Sequence, residues 1–265
     1  MPPLLSVVMP VLNGERFIRE ALLSVLASEV DLEVIVQDGC STDGTAEAVA
    51  SVADSRVSFI SEADRGQADA LNRAIGRARG RWILWVNADD FVDSGAVNRI
   101  ADQLTKTTAT LVYGDFSIVD VAGCRLRSYE CPRYWSRATL LNRGLRVFSG
   151  SIFIDRQVLS RHGGFDDRFH YCMDYELLVR IGPDVRLQHV PGIVGSLRIH
   201  PESKSSSAPW RFFLEYRYIQ SRYRSPGAWA CVRSYYAQLR LGLFTATSHF
   251  RYSRRWARIR SIKRL

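Results

Sequence analysis

The chain reads as an α/β protein with a mostly parallel central sheet flanked by helices, followed by a basic helical C-terminal extension. Three observations carry this reading: short apolar runs without alternation recur along the chain, segments of helical spacing separate them, and the charge balance changes sharply near residue 205. An apolar run without period-two alternation suits a strand covered on both faces, as strands of parallel sheets are. Strands and helices in alternation favour the right-handed crossovers that build such a sheet.

Leu5 to Leu12 is the first such run and stops at Asn13-Gly14, after which Glu15 to Leu26 has the apolar spacing of an amphipathic helix. Leu32 to Val36 repeats the strand pattern. It ends in Gln37-Asp38-Gly39-Cys40-Ser41-Thr42-Asp43-Gly44-Thr45, where glycines permit tight turns and Ser, Thr and Asp can cap a helix. Arg56 to Ile60 is a third strand, followed by Asp64-Arg65-Gly66-Gln67 and a helix from Ala68 to Arg79. The fourth, Trp82 to Val86, stops abruptly on Asn87-Ala88-Asp89-Asp90. Beyond it the patterns predict a helix over 95–104, a strand over Thr110 to Val119 and a strand candidate over Val147 to Ile154. A turn at Gly163-Gly164-Phe165-Asp166, a short helix from Asp174 to Ile181, and two strands over Arg186 to Val190 and Ile193 to Ile199 complete the body.

Ligands of such sheets gather at the carboxyl ends of the strands. Asp89 and Asp90 at one strand end repel each other and are costly to desolvate, so a hard divalent cation is a natural partner, and a metal there would hold a diphosphate. The alternative is that the pair begins a turn or caps the next helix. Asp174 falls at the amino end of its helix, where the dipole favours an ionised carboxylate; a capping role is the alternative. The first turn lacks the GxGxxG fingerprint of dinucleotide-binding domains, and no Walker lysine loop is present.

With 46% apolar and 24% charged residues, the 265-residue chain is that of a globular protein with one large core or a domain and an appendage. Five cysteines at irregular spacing, none in a CxxC pair, point to reduced thiols and a cytoplasmic location rather than a disulfide framework or zinc site. No signal-peptide pattern opens the sequence, and no uninterrupted apolar run approaches membrane-spanning length. The net charge of +9 is unevenly placed: Trp210 to Leu265 carries 13 Lys and Arg against one acid, Glu215, while the remainder is slightly acidic. A division into a body of residues 1–205 and an extension of residues 206–265 follows. The arginines of the extension are interleaved with Trp, Tyr and Phe, which suits either helices packed on the body or peripheral attachment to an anionic membrane surface. Nucleic acid is disfavoured, since no recognisable nucleic-acid-binding fold accompanies the charge.

In order along the chain, Pro10 to Gly14, Asp38 to Thr45, Asp64 to Asn72, Asn87 to Asp90, Gly164-Phe165-Asp166 and Asp174-Tyr175-Glu176-Leu177 resemble the motifs of the family 2 glycosyltransferases, which have the GT-A fold. The resemblance spans about Ser6 to Ser205. It implies inverting transfer of a sugar from a nucleotide-diphospho-sugar, with UDP the expected nucleotide, to an acceptor hydroxyl in polysaccharide or glycolipid biosynthesis. It also implies Mg2+ or Mn2+ and a carbohydrate or lipid-linked acceptor. Pro10, Leu12 and Glu15 would border the nucleotide, Asp38 would accept a hydrogen bond from the base, and Asp64, Gln67 and Asn72 would continue that pocket. For Asp38 a turn role stays open, as does a plain polar helix face for Gln67 and Asn72.

Asn87-Ala88-Asp89 stands where the family has Asp-x-Asp, with Asn in place of the first Asp, so Asp89 is the expected metal ligand and Asn87 and Ala88 lie on the donor side. His200 falls where related sequences place a histidine that can complete a metal or diphosphate site, with a structural role as its alternative. Asp174 matches the catalytic base, and Glu176 is its nearby competitor. Trp135, Ser149, Asp115 and His170 are acceptor-side candidates. Two readings of other classes remain beside this one. A sugar-nucleotide nucleotidyltransferase would need a basic, Gly-rich phosphate loop that Arg16 and Arg19 replace poorly. A non-catalytic nucleotide-binding scaffold would not need both Asp89 and Asp174.

Overall fold

A computed structural model describes residues 2–93, 95–200, 202–204 and 209–223. Its first half alternates strands β1 (Leu5–Val11), β2 (Leu32–Asp38), β3 (Val57–Ser61) and β4 (Trp82–Trp85) with helices α1 (Ile18–Leu26), α2 (Thr45–Ala50) and α3 (Gln67–Arg77). These strands pair in parallel, in the order β3-β2-β1-β4, and every residue of β1, β2 and β4 is buried. The unalternating apolar runs arise from that double coverage. Within β1, Val8 faces one core and Val7 and Met9 the other, as a period of two requires.

The second half contains β5 (Phe91–Val92), α4 (Ala96–Lys106), β6 (Leu111–Val119), β7 (Arg125–Tyr129), α5 (Arg137–Arg143), β8 (Ile152–Asp155), α6 (Arg156–Arg161), α7 (Met173–Ile181) and β9 (Leu187–Arg198). Here the sheet is mixed: β8 lies antiparallel between β4 and β6, β6 pairs in parallel with β9, and β5 and β7 add antiparallel edges. The sheet is therefore continuously parallel only through β4, with β6–β9 as one further parallel pair beyond the antiparallel β8. An apolar run such as Ile152-Phe153-Ile154 reveals burial on both faces and says nothing of direction.

The two strands expected over residues 186–199 are one, β9, whose register against β6 shifts around Pro191-Gly192. Gly192 has φ +107, open to a residue without Cβ, and its N–H donates to Asp115 at 2.8 Å. Burial alone would raise the Asp115 carboxyl, but bonds from the Cys131 and Gly192 amides and from His189 hold it below the usual range. Asp115 thus fixes a bend, and Trp135 is buried in the core, so neither is presented to an acceptor.

The last helix among the described residues, α8 (Pro209–Tyr223), packs against α7. Tyr216 stacks on Tyr175 with ring centroids 4.6 Å apart, Ile219 is fully buried, and the Gln220 amide donates to the Leu141 carbonyl at 2.7 Å. Burial of side chains this size stabilises by roughly 1.5–3 kcal/mol each. The boundary expected at residue 205 therefore precedes a helix that shares the core of the body. Residues 224–265, most of the extension, lie outside the described residues. Among the described residues no helix is long and apolar enough to cross a membrane.

Candidate active site

Because β1 to β4 are parallel, the segments that follow them, residues 12–15, 39–44, 62–66 and 86–90, meet at one edge of the sheet. The first two are laced together. The Asn13 amide donates to Ser41 Oγ at 2.7 Å, the Thr42 amide to Asn13 Oδ1 at 2.9 Å, the Gly14 amide to Thr45 Oγ1 at 2.8 Å, and the Gly44 amide to the Glu15 carboxylate at 2.7 Å. Asp38, 2% exposed, closes β2 and accepts from the Ser41 amide and hydroxyl and from Ser61 Oγ at 2.6 Å. Pro10 is buried within β1 opposite Gln37, whereas Leu12, 64% exposed, and Glu15 stand on the open edge.

Asp64 accepts from the Gly66 amide at 2.8 Å and lies so close to Gly39 that a Cβ there would come within 2.7 Å of its carboxylate. Gln67 then opens α3 and reaches the end of β4, donating to Asn87 Oδ1 at 2.7 Å. Asn72 does not join this edge. Its amide nitrogen donates to the Phe165 carbonyl and its oxygen accepts from the Phe165 amide, both at 2.8 Å, so both ends hold the turn at Gly164 instead of lining a nucleotide pocket. Gly164 (φ +69) passes so close that a Cβ would meet Asn72 Oδ1 at 2.3 Å.

At the end of β4, Asn87 Oδ1 also accepts from Trp85 Nε1 at 2.8 Å, and its Nδ2 donates to Asp90 at 2.8 Å. A carboxylate at position 87 could not make that last bond, which gives the departure from Asp-x-Asp a structural reason. Ala88 is buried, and beyond it the two aspartates diverge. Asp90 turns inward, 1% exposed, and accepts from the Arg198 amide at 2.9 Å; burial, then the charge of Asp89, pushes its carboxyl well above the usual range. Arg198 is itself buried between Phe17 and Phe91, 4.7 and 5.2 Å from their ring centroids. It donates to the carbonyls of Asp89 (2.9 Å) and Val121 (2.7 Å) and pairs with Glu20 at 2.7 Å. The expectation that one metal compensates both aspartates is thus corrected: protein groups satisfy Asp90 from inside, and only Asp89 faces the edge.

Asp89 Oδ2 meets His200 Nε2 at 2.8 Å. The Asp89 carboxylate is a hard oxygen donor of the kind that Mg2+ or Mn2+ accepts, its side chain still 32% exposed for further ligands, while the His200 imidazole beside it is a softer donor that such ions take less readily. The buried Nδ1 of His200 has no hydrogen-bond partner among the described residues, so the ring is held through Nε2, whose N–H donates to the Asp89 carboxylate and would have to give up that bond to ligate an ion. The pair fits such an ion, although no cluster of three or more His, Cys, Asp or Glu occurs among the described residues.

Lys204 escaped the motif reading. Its ammonium donates to Gln67 Oε1 at 2.6 Å; burial lowers its pKa, opposed by Glu215, Asp64 and Asp89. It brings a cation to the same edge from a segment 137 residues away.

Asp174 occupies the first turn of α7 and lines an apolar cavity with Trp85, Ser149, Ile152, Phe165 and Leu177. Burial pushes its carboxyl up to about 6, Glu215 adds to the shift, and the amides of the helix start oppose it. Desolvation therefore outweighs the stabilising helix end. Glu176 is no rival: it is fully buried, paired with Arg180 at 2.9 Å and bonded by the Tyr223 hydroxyl.

The family model described as glycosyl transferase family 2 matches residues 6–165. An uncharacterized glycosyltransferase of Rickettsia felis is 28% identical over 77% of this chain and 35% of its own. The succinoglycan biosynthesis protein ExoO of Rhizobium meliloti is 35% identical over 48% of this chain and 37% of its own. The chain thus spans roughly a third of the length of these relatives. Among solved structures, S. aureus TarS in complex with UDP-GlcNAc has a TM-score of 0.69 at 18% identity, covering 83% of this chain and 65% of that one. The mannosyltransferase PcManGT of Pyrobaculum calidifontis, in complex with GDP-Man and Mn2+, has a TM-score of 0.64 at 19% identity, covering 96% and 75%. At such identities the structures speak for the fold, the GT-A architecture. With the family model matching more than half its length, the chain belongs to glycosyl transferase family 2.

Proposed function

We propose that the protein transfers a sugar from a nucleotide-diphospho-sugar, UDP-linked, to a carbohydrate or lipid-linked acceptor hydroxyl, with inversion at the anomeric carbon. The observation that carries this reading is the double role of Trp85. Its indole N–H holds Asn87 beside the Asp89–His200 pair, and its side chain lines the cavity of Asp174, so donor-phosphate side and base share one wall.

In this mechanism the acceptor oxygen attacks the anomeric carbon from the face opposite the diphosphate. The bond from that carbon to the phosphate oxygen breaks, its electron pair leaves with the diphosphate, and the acceptor's proton passes to Asp174. A carboxyl near 6 suits this task, being ionised at neutral pH yet basic enough to accept a proton. Asp89 and His200 would hold Mg2+ or Mn2+, which when bound draws negative charge off the leaving diphosphate. Lys204 adds positive charge from the protein itself. Leu12 and Glu15 on the open edge are positioned for the nucleoside, with Asp38 and Asp64 behind them.

Support for UDP comes from the TarS complex, and for an envelope polysaccharide from the succinoglycan relative. For a membrane-borne acceptor, α8 exposes Trp210, Leu214 and Tyr218 at intervals of four, one stripe of a helix that also carries Arg211 and Arg217. The test is nucleotide release from a panel of UDP- and GDP-sugars with Mg2+ or Mn2+. Turnover of UDP-sugars supports the reading, and binding of none of the panel overturns it.

A further inference from the structure

Helix α7 begins without a cap of its own. Its N-cap residue is Cys172, whose side chain makes no capping bond. The free amides ahead of it are instead taken by a carboxylate from another element: Glu215 of α8 accepts from the amides of His170 at 3.0 Å, Tyr171 at 2.8 Å and Cys172 at 2.9 Å. Three successive N–H donors at a helix start form a strong site for a negative charge. Glu215 is also the single acid among the 13 basic residues of Trp210 to Leu265. The contact is braced on either side by the Cys172 thiol donating to the Phe212 carbonyl at 3.4 Å and by the Tyr175–Tyr216 stack.

We infer that Glu215 is a positioning residue for Asp174, fixing the start of α7 two residues ahead of the base and setting the field in which that base works. The inference rests on Asp174 being the base. It makes α8 part of the catalytic apparatus as well as a packing element. The groups facing one another here are Asp174 and Cys172 on the α7 side, Glu215 on α8, and Lys204, which lies near Glu215, Asp64 and Asp89. The negative charge of Glu215 raises the Asp174 carboxyl, so removing that charge lowers the pH at which Asp174 ionises.

The experiment uses the full chain as wild type, Glu215→Gln and Glu215→Asp. The Asp174 carboxyl is titrated by carbon-13 NMR, with Asp174→Asn to assign its signal, and amide exchange is followed at residues 170–172. For Glu215→Gln we expect a midpoint shifted below the wild-type value, faster exchange of the three amides, and lower kcat for nucleotide release at unchanged donor KM; Glu215→Asp restores these in part. An unshifted Asp174 midpoint with wild-type exchange overturns the inference, as does a lowered Tm with both readouts unmoved, which marks α8 as packing alone. If the wild type turns over no sugar nucleotide, the functional reading fails, while the two NMR readouts still decide the role of Glu215.

Discussion

Asn87 joins side chains that face different ways, accepting from Gln67 and Trp85 and donating to Asp90. Restoring the family's acid with Asn87→Asp places a carboxylate against the buried Asp90 and removes its donor. We expect a loss of about 1–3 kcal/mol in urea unfolding at pH 7 and no gain in activity. Asp89→Asn, by contrast, leaves the fold intact and removes most of the Mn2+-dependent affinity for UDP in calorimetry; equal affinity in both proteins, unchanged by chelator, would contradict the assignment. The places of Asp89 and Asp174 were legible because the apolar run of β4 and the spacing of α7 mark a strand end and a helix start. Asn72 was not, since a polar residue on a helix looks the same whether it meets a ligand or the Phe165 backbone. Nor was Arg198, whose amide meets Asp90 across 108 residues and whose spacing in a strand gives no hint of burial.

At the scale of elements, β9 closes the site from behind. Its Arg198 ties the carbonyls of Asp89 and Val121 to Glu20 of α1, and His200 follows two residues later. Arg198→Ala keeps the backbone bond to Asp90 but leaves the Asp89 and Val121 carbonyls without their donor and empties the space between Phe17 and Phe91, and should cost about 1–3 kcal/mol, read as a lowered urea midpoint. The loss reaches Asp89 as well, so metal-dependent UDP binding weakens together with stability. The parallel half of the sheet was legible because each strand, turn and helix repeats one pattern. Its mixed half was not: β5 has two residues, β7 is largely exposed, and the bend in β9 depends on Asp115 reaching the Gly192 amide 77 residues away.

Across the whole molecule, α8 is where the sequence division into body and extension departs most from the packing. Removing residues 209–265 strips Tyr216 and Ile219 from the core, so such a truncation should lower Tm and cannot serve as a clean test of membrane attachment. Trp210→Ser and Leu214→Ser together leave those buried residues, and the contact of Tyr218 with Phe169, in place. We expect the intact protein to co-sediment with anionic vesicles, less so in high salt, and the double variant to bind more weakly at unchanged Tm. Binding to neither anionic nor neutral vesicles would leave the stripe without a membrane role. Activity should rise with pH through about 6 as Asp174 loses its proton, because the protonated base cannot accept another. The central claim, that Asp174 takes the acceptor's proton beside a donor site it does not itself form, is tested most directly by comparing Asp174→Asn with wild type in sugar transfer while donor affinity is measured on the same samples. The account predicts a loss of roughly 10² to 10⁴ in kcat with donor affinity and Tm preserved; near-normal transfer by Asp174→Asn would contradict it.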